Sequence, residues 1–143
     1  MNIKQISVFL ENKPGSLEKV LKILADADVN ILTLNIAEMT DYGILRMIVN
    51  RPEKAFKVLH DAETVCKASD VLGIVLQDSP GSLFKMVHSL SRKGINIEYM
   101  YAFTEKKGDK AVMILRFEDI EKAKENLLKE GYNLMKHDGI ICE

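Results

Sequence analysis

Long apolar segments are absent from this sequence. No run approaches the roughly 20 residues that a membrane-spanning helix needs. The opening residues, MNIKQISVFL, lack the charged segment and the small-residue cleavage site of a secretory signal. The net charge is only −1 at pH 7, which provides no long-range attraction to nucleic acid or to an anionic membrane. We therefore expect a cytoplasmic protein that binds neither nucleic acid nor membrane.

Cysteine is scarce, and the sequence has no pattern typical of a metal site or a catalytic site. Cys66 and Cys142 are far apart and form no C-x-x-C pair, so we expect both to be reduced. The three histidines do not have metal-ligand spacing with one another or with the cysteines. Ser16 and Ser82 lack the G-x-S-x-G context of a nucleophile. These observations predict no metal, no cofactor and no enzymatic activity.

A repeated segment is the main positive feature of the sequence. ENKPGSLEKV at residues 11–20 returns as QDSPGSLFKM at residues 77–86, which is 66 positions later. A period of this length predicts two small domains, at residues 1–69 and 70–143. Because domains of this size bury little surface alone, we expect them to associate, within a homodimer. The correspondence continues through Leu17 with Leu83, Lys19 with Lys85, Leu24 with Leu90 and Asn30 with Asn96.

Each half has the same predicted order of elements, β-α-β-β-α-β, which is the ferredoxin-like order of an α+β fold. The helix after each turn is indicated by apolar residues at helical spacing. These residues are Leu17, Val20, Leu21 and Leu24 in the first half, and Leu83, Met86, Val87 and Leu90 in the second. Strands are predicted at 3–10, 30–37, 44–50, 64–68, 96–104, 111–117 and 133–137. Residues 138–142 resemble the start of the second half, so we also expect a strand there.

The repeated Pro-Gly turn is the candidate site. Pro14 fixes its own φ, Gly15 lets the backbone approach another group closely, and the following helix begins with free N–H groups and partial positive charge. Such a place suits a carboxylate, and the alternative is that Pro-Gly serves only as a tight connection. Asp78 stands where the first copy has Asn12, so the second turn would attract an ammonium group and repel a carboxylate. The two sites therefore need not be equivalent.

The turn D/N-x-P-G-S-L, the later strand start G/V-x-N-I and the order of elements together resemble the ACT family, whose small regulatory domains typically bind amino acids. The resemblance covers nearly the whole chain, as two tandem copies. The residues that carry it are Asn12, Pro14, Gly15, Leu17, Leu24, Val29, Asn30 and Ile31 in the first copy, and Asp78, Pro80, Gly81, Leu83, Leu90, Gly94, Ile95, Asn96 and Ile97 in the second.

The resemblance implies a stand-alone regulatory protein with an amino acid bound between two ACT units. The helix start would donate to the ligand carboxylate, and Asn12, Asn30 or backbone carbonyls would accept from its ammonium group. The expected partners are this ligand, a second copy of the chain and a regulated protein. The implied ligand-binding residues are Asn12, Lys13, Pro14, Gly15, Ser16, Leu17, Asn30, Ile31, Asp78, Ser79, Pro80, Gly81, Ser82, Leu83, Asn96 and Ile97.

Other activities of the same fold fit the sequence less well. An acylphosphatase-like enzyme would need an arginine in the first turn, and neither turn contains one. An RNA-binding sheet would need aromatic residues on its central strands, whereas the strand ILRMIVN has none. A metallochaperone would need cysteines in the turn. A ferredoxin-like enzyme and a protein–protein interaction module without a ligand remain the alternative functions.

Overall fold

The computed structural model describes residues 2–38, 40–103 and 108–140. It divides into two compact units, each of which is described by itself. One unit is Lys4–Ser69, and the other is Asp70–Glu143 together with Met1–Ile3. The secondary structure of each unit follows the predicted β-α-β-β-α-β order.

The first unit places two helices against an antiparallel sheet. Its strands lie in the order β2-β3-β1, and the Phe9 N–H donates to the Val65 carbonyl at 3.0 Å just before β4 begins. This is the strand order of a ferredoxin-like fold, with the last strand beside the first. The elements are β1 (Ile3–Glu11), α1 (Ser16–Asp26), β2 (Ile31–Glu38), β3 (Tyr42–Val49), α2 (Pro52–Asp61) and the start of β4 (Cys66–Gln77).

The core of the first unit forms between one face of this sheet and the two helices. Val8 lies opposite Leu45 in the β1–β3 register, and both are fully buried. The helices contribute the residues that the helical spacing predicts, because Val20 and Leu24 of α1 and Leu59 of α2 belong to the same buried cluster. The apolar stripe of α1 therefore faces the sheet, and the turn before α1 is exposed at the edge of this core.

The second unit repeats the arrangement, with strands in the order β7-β4-β6-β5. The last strand predicted for the first half, at 64–68, and the first strand of the second half form one continuous β4 (Cys66–Gln77), although Ser69 and Asp70 are residue types common in turns. Residues 70–77 of β4 correspond to β1 of the first unit. The other elements are α3 (Ser82–Arg92), β5 (Ile97–Ala102), β6 (Lys110–Phe117), α4 (Ile120–Lys129), β7 (Asn133–Met135) and α5 (His137–Ile140).

The core of the second unit contains Met86 and Leu90 from α3 and Leu127 from α4, all of which are fully buried. Leu83, which the helical stripe also predicted to face the core, is 40% exposed. It lies in the first turn of α3. The equivalent Leu17 is half-buried and does pack against the first core.

The predicted strand is wrong at residues 138–140, the part of it that the structure describes. The chain forms the short helix α5 there, and the Gly139 N–H donates to the Lys136 carbonyl at 3.0 Å, which is a local turn bond. Residues 141–143 lie outside the described part of the chain, and so do Thr104, at the end of a predicted strand, and Cys142.

Candidate functional site

The first Pro-Gly turn leaves the start of α1 open. Gly15 is the residue that precedes α1, and its φ of +92° is left-handed, so the conformation itself requires glycine. A Cβ at Gly15 would meet no heavy atom within 4 Å. No described side chain caps this helix. The Ser16 N–H donates to the Lys13 carbonyl at 3.4 Å, and the N–H groups that follow it in the first turn of α1 have no acceptor within the helix.

The second turn has the same backbone, but its side chains differ. Gly81 precedes α3 with a φ of +86°, and no described side chain caps that helix either. The hydroxyls of Ser79 and Ser82 lie 2.8 Å apart. In α4, by contrast, the Asp119 carboxylate accepts from the Lys122 N–H at 3.1 Å. The two repeated helices thus lack the cap that α4 has.

A cavity of about 370 Å³ lies beside the start of α1. We call it the first helix-side cavity. The end of β1, the first turns of α1 and the loop between α2 and β4 form its walls. Its charged and polar lining carries both signs of charge, from Glu11, Lys13, Lys19 and Glu63, together with Gly15 and Ser16.

The second unit has a cavity of about 330 Å³ at the equivalent place, the second helix-side cavity. Its lining is cationic, because among the described residues its charged members are Lys85 and Lys110 and it has no carboxylate. The two acids of the first cavity are replaced: Gln77 stands where the first unit has Glu11, and Gly131 stands where it has Glu63.

A third cavity, of about 440 Å³, lies on the other side of the first turn, toward the β2–β3 hairpin. Asn12 lines this cavity and contacts the hairpin. The Asn12 backbone N–H donates to the Asp41 carbonyl at 2.9 Å, and its side-chain Nδ2 contacts the Thr40 carbonyl at 3.5 Å. The turn contributes Asn12, Lys13 and Leu17, and the hairpin contributes Ile36, Glu38 and Tyr42.

An ion pair joins the two cavities of the first unit. The Nζ of Lys13 lies 2.8 Å from a carboxylate oxygen of Glu11. This hydrogen bond lowers the pKa of the Glu11 carboxyl and raises the pKa of the Lys13 ammonium group. Both side chains are more than half exposed, so the pair contributes little to stability. A carboxylate can accept several hydrogen bonds, and Glu11 therefore keeps capacity for another donor.

The predicted strand-start residues lie away from the turns within each unit. Asn30 and Ile31 follow the end of α1, and the 11 residues of this helix separate them from the turn by about 16 Å. The Asn30 N–H donates to the Asn50 Oδ1 at 2.9 Å. Asn96 and Ile97 have the equivalent position after α3. A ligand that touches a turn therefore cannot reach the strand start of the same unit.

The predicted turn residues are distributed among the cavities as follows. Lys13, Pro14, Gly15 and Ser16 line the first helix-side cavity, whereas Asn12 and Leu17 line the hairpin side. In the second unit, Ser82 lines the helix-side cavity. Asp78 donates its N–H to the Asp109 carbonyl at 2.7 Å. Ser79, Pro80, Gly81 and Leu83 surround the exposed start of α3.

Sequence reasoning missed Glu11, Lys19 and Glu63 as members of the site. The pairing of Lys19 with Lys85 in the repeat was a usable signal, because both lie one helical turn after the glycine. Glu63 is remote in sequence and reaches the cavity only through the packing of the α2–β4 loop. It has a left-handed φ of +58°, which no local sequence pattern predicts for a glutamate.

Among residues 2–38, 40–103 and 108–140, no group of three acidic, histidine or cysteine side chains is placed to hold a metal ion. Within the same residues, no helix is long and apolar enough to cross a membrane. Cys66 is a free, half-buried thiol, and its burial raises its pKa.

Two ferredoxin-like units, each with an open glycine turn before its first helix, define an ACT-type protein. The chain belongs to the ACT domain pair family, which matches residues 1–141. A protein of solved structure from Bacteroides thetaiotaomicron is 39% identical, with a TM-score of 0.91 and coverage of 98% of this chain and 96% of that one. A search of curated proteins finds no match.

More distant solved structures share the fold. The regulatory subunit of aspartate kinase from Thermus thermophilus is 18% identical, with a TM-score of 0.62, and the match covers 90% of this chain and 92% of that one. The regulatory subunit from Thermus flavus is 14% identical, with a TM-score of 0.64 and coverage of 90% of each chain. At such identities the likeness concerns the fold.

Proposed function

We propose that this protein is a regulatory protein that binds a free amino acid in the first helix-side cavity. The observation that carries the proposal is the charge of the lining. A zwitterion needs a positive environment at its carboxylate and a negative one at its ammonium group, and this cavity offers Lys19 and the open helix start together with Glu11 and Glu63.

The carboxylate belongs at the start of α1. Backbone N–H groups at a helix start and the positive end of the helix dipole bind anions, and the Lys19 ammonium group adds a full positive charge to the cavity lining. The left-handed Gly15 presents no side chain at this place, so the ligand can reach the backbone. The ammonium group of the ligand then faces the carboxylates of Glu11 and Glu63.

The second helix-side cavity is proposed not to bind an amino acid in the same way. Gln77 and Gly131 replace the two acids, so the ammonium group of a zwitterion would lack a charged acceptor there. Lys85 and Lys110 would repel that ammonium group. This difference supports one amino acid per chain, in the first unit.

The proposed assembly is a homodimer in which Asn30 of a second chain adds polar contacts to the ligand, whereas Asn12 lines the cavity on the hairpin side of the turn. Its support is the edge strand β2, where Leu34 and Ile36 are 43% and 45% exposed. An open strand edge with exposed apolar side chains is prone to pairing with another chain. Pairing through β2 would cover both residues.

The proposed role is control of a partner protein in the cytoplasm, without catalysis by this chain. The regulatory subunits of aspartate kinase share the fold, which supports a regulatory role. The described cavities contain charged groups suited to binding a small ionic ligand.

A thermal-shift panel of the twenty amino acids tests the proposal. At about 100 times its dissociation constant, a ligand that binds only the folded state adds roughly 2.7 kcal/mol, which raises the melting temperature by several degrees. Lys19→Gln should remove the shift. Lys85→Gln, the equivalent change in the second unit, is the matched control and should leave the shift in place. If no amino acid shifts the melting temperature, the proposal is wrong.

A further inference from the structure

The outward side of α3 carries an exposed aromatic ring among cationic side chains. Phe84 is 68% exposed, and its ring stacks on His88 with 5.5 Å between centroids and 23° between planes. Arg92 continues the same row one helical turn later, because residues four apart share a helix face. We call Phe84, Lys85, His88, Arg92 and Lys93 the α3 outer surface. They line a shallow cavity of about 330 Å³.

The first unit serves as an internal comparison for this surface. At the positions of Phe84, His88 and Arg92, helix α1 has Glu18, Lys22 and Asp26. The Lys22 ammonium group donates to the Asp26 carboxylate at 2.8 Å, so that helix neutralises its own charges. Helix α3, SLFKMVHSLSR, contains no acidic residue. The outward face of α1 therefore pairs its own opposite charges, whereas the equivalent face of α3 carries an aromatic ring and cationic side chains.

The neighbouring helix does not neutralise the α3 outer surface. In α4, the Glu125 carboxylate accepts from Lys129 at 2.8 Å, and the Glu121 carboxylate accepts from Lys124 at 3.3 Å. In the part of the chain that the structure describes, Glu130 is the one acid that lines the cavity, against the three fixed cations Lys85, Arg92 and Lys93. The surface therefore has a net positive charge, although the whole chain has a net charge of −1.

We propose that the α3 outer surface docks an acidic segment of a partner protein through an apolar side chain that packs on Phe84. Aromatic residues and arginine dominate the energy of protein interfaces, and the fixed cations select an acidic partner. A large exposed ring is costly to hydrate, and contact with an apolar side chain would cover it. This proposal is independent of amino-acid binding.

Other occupants fit the surface less well. A second copy of the same surface would bring like charges together across a two-fold axis, which is unfavourable. Duplex nucleic acid is bound mainly through many phosphate contacts, whereas this surface offers only three fixed cations, two in α3 and Lys93 directly after it. A membrane-binding helix would need a broad apolar face. On the α3 outer surface the exposed aromatic side chain is Phe84, and the other members are cationic or histidine.

The test measures the binding of labelled probes by fluorescence anisotropy, without added amino acid. The main probe is a peptide in which Glu-Glu-Leu-Leu is repeated. An all-Glu peptide, a Lys-Lys-Leu-Leu peptide, a short DNA duplex and phosphatidylserine vesicles are the comparison probes. We expect the Glu-Leu peptide to bind at least about tenfold more tightly than any of them, because it supplies both the charge and the apolar contact. Its binding should weaken with added salt.

The variant introduces into α3 the residues that α1 has at the equivalent positions. Phe84→Glu with Arg92→Asp places the residues of α1 on α3, and both positions are exposed, so the melting temperature should not change. This variant should weaken peptide binding at least about tenfold. Glu18→Ala with Asp26→Ala, at the equivalent positions of α1, is the matched control and should bind normally. The proposal is overturned if the peptide does not bind, if the variant binds unchanged, or if all-Glu peptide, DNA or vesicles bind as tightly.

Discussion

Glu63 and Gly131 occupy the same place in the two units, and both have left-handed backbone, with φ of +58° and +85°. The first unit therefore keeps a glutamate where the conformation favours glycine. A non-glycine residue in this region costs roughly 1–2 kcal/mol. The Glu63 carboxylate lines the first helix-side cavity. Asp28 has the same left-handed backbone, with φ of +55°, and lines neither cavity of the first unit, so this conformation alone does not mark a ligand site.

Replacing Glu63 should separate ligand binding from stability. Glu63→Gly removes the carboxylate but relieves the left-handed strain, so we expect the amino-acid thermal shift to be lost while the free energy of unfolding stays within about 1 kcal/mol of wild type or rises. Chemical denaturation with and without ligand measures both quantities. An unchanged thermal shift in this variant would exclude Glu63 from the site.

Alanine substitution should lower the stability of the protein at the capped start of α4 more than at the uncapped start of α1. Asp119→Ala removes the hydrogen bond from the Lys122 N–H, so it should cost about 1 kcal/mol of stability. Ser16→Ala removes no cap and should change the stability of the ligand-free protein by less than about 0.5 kcal/mol. Urea denaturation compares the two. Equal losses would mean that Ser16 does cap α1 in solution.

A close contact at Gly73 makes β4 sensitive to any side chain. A Cβ there would lie 2.7 Å from Ile3 Cδ1 and 3.2 Å from Met135 Cβ. We expect Gly73→Ala to lower the free energy of unfolding by about 1–3 kcal/mol, because the neighbours must move. Gly139→Ala is the control, since a Cβ there would make an ordinary contact at 3.8 Å. Equal stability of the two variants in urea would contradict the packing at Gly73.

Cys66 should react slowly with alkylating reagents. Its burial raises the pKa of the thiol, so a smaller fraction is thiolate at a given pH, and the thiolate is the reactive species. In a Cys142→Ser background, we expect iodoacetamide at about pH 8 to modify Cys66 severalfold more slowly in the folded than in the urea-unfolded protein. Mass spectrometry follows the reaction. Equal rates would contradict the burial of the thiol.

The fold could be predicted from the sequence because its signals are local and occur twice. The stripes that end at Leu24 and Leu90 lie within the two observed helices, Ser16–Asp26 and Ser82–Arg92. The strand expected at residues 138–142 was wrong at residues 138–140, because a strand depends on a lateral partner that sequence similarity to β4 does not supply. Leu83 fits the apolar stripe of α3, but its side chain is partly exposed instead of buried in the core.

The candidate site was predictable only in part, because its turns have local sequence signals and its charged residues do not. The Pro-Gly turns identified the open helix starts. Glycine was expected there because it lets the backbone approach another group closely, but the left-handed φ of Gly15 and Gly81 is the more direct reason for it. The charges that distinguish the two cavities come from separate elements. Glu63 follows α2 and Lys110 begins β6, and both reach their cavities through tertiary packing.

Native mass spectrometry of the protein with each amino acid tests the central claim most directly, because it counts bound ligands per chain. We predict one amino acid per chain, retained when the second cavity is changed by Lys110→Gln and lost in Glu63→Gly. Binding that survives Glu63→Gly, two equivalent ligands per chain, or no binding of any amino acid would contradict the assignment of the first helix-side cavity as the amino-acid site.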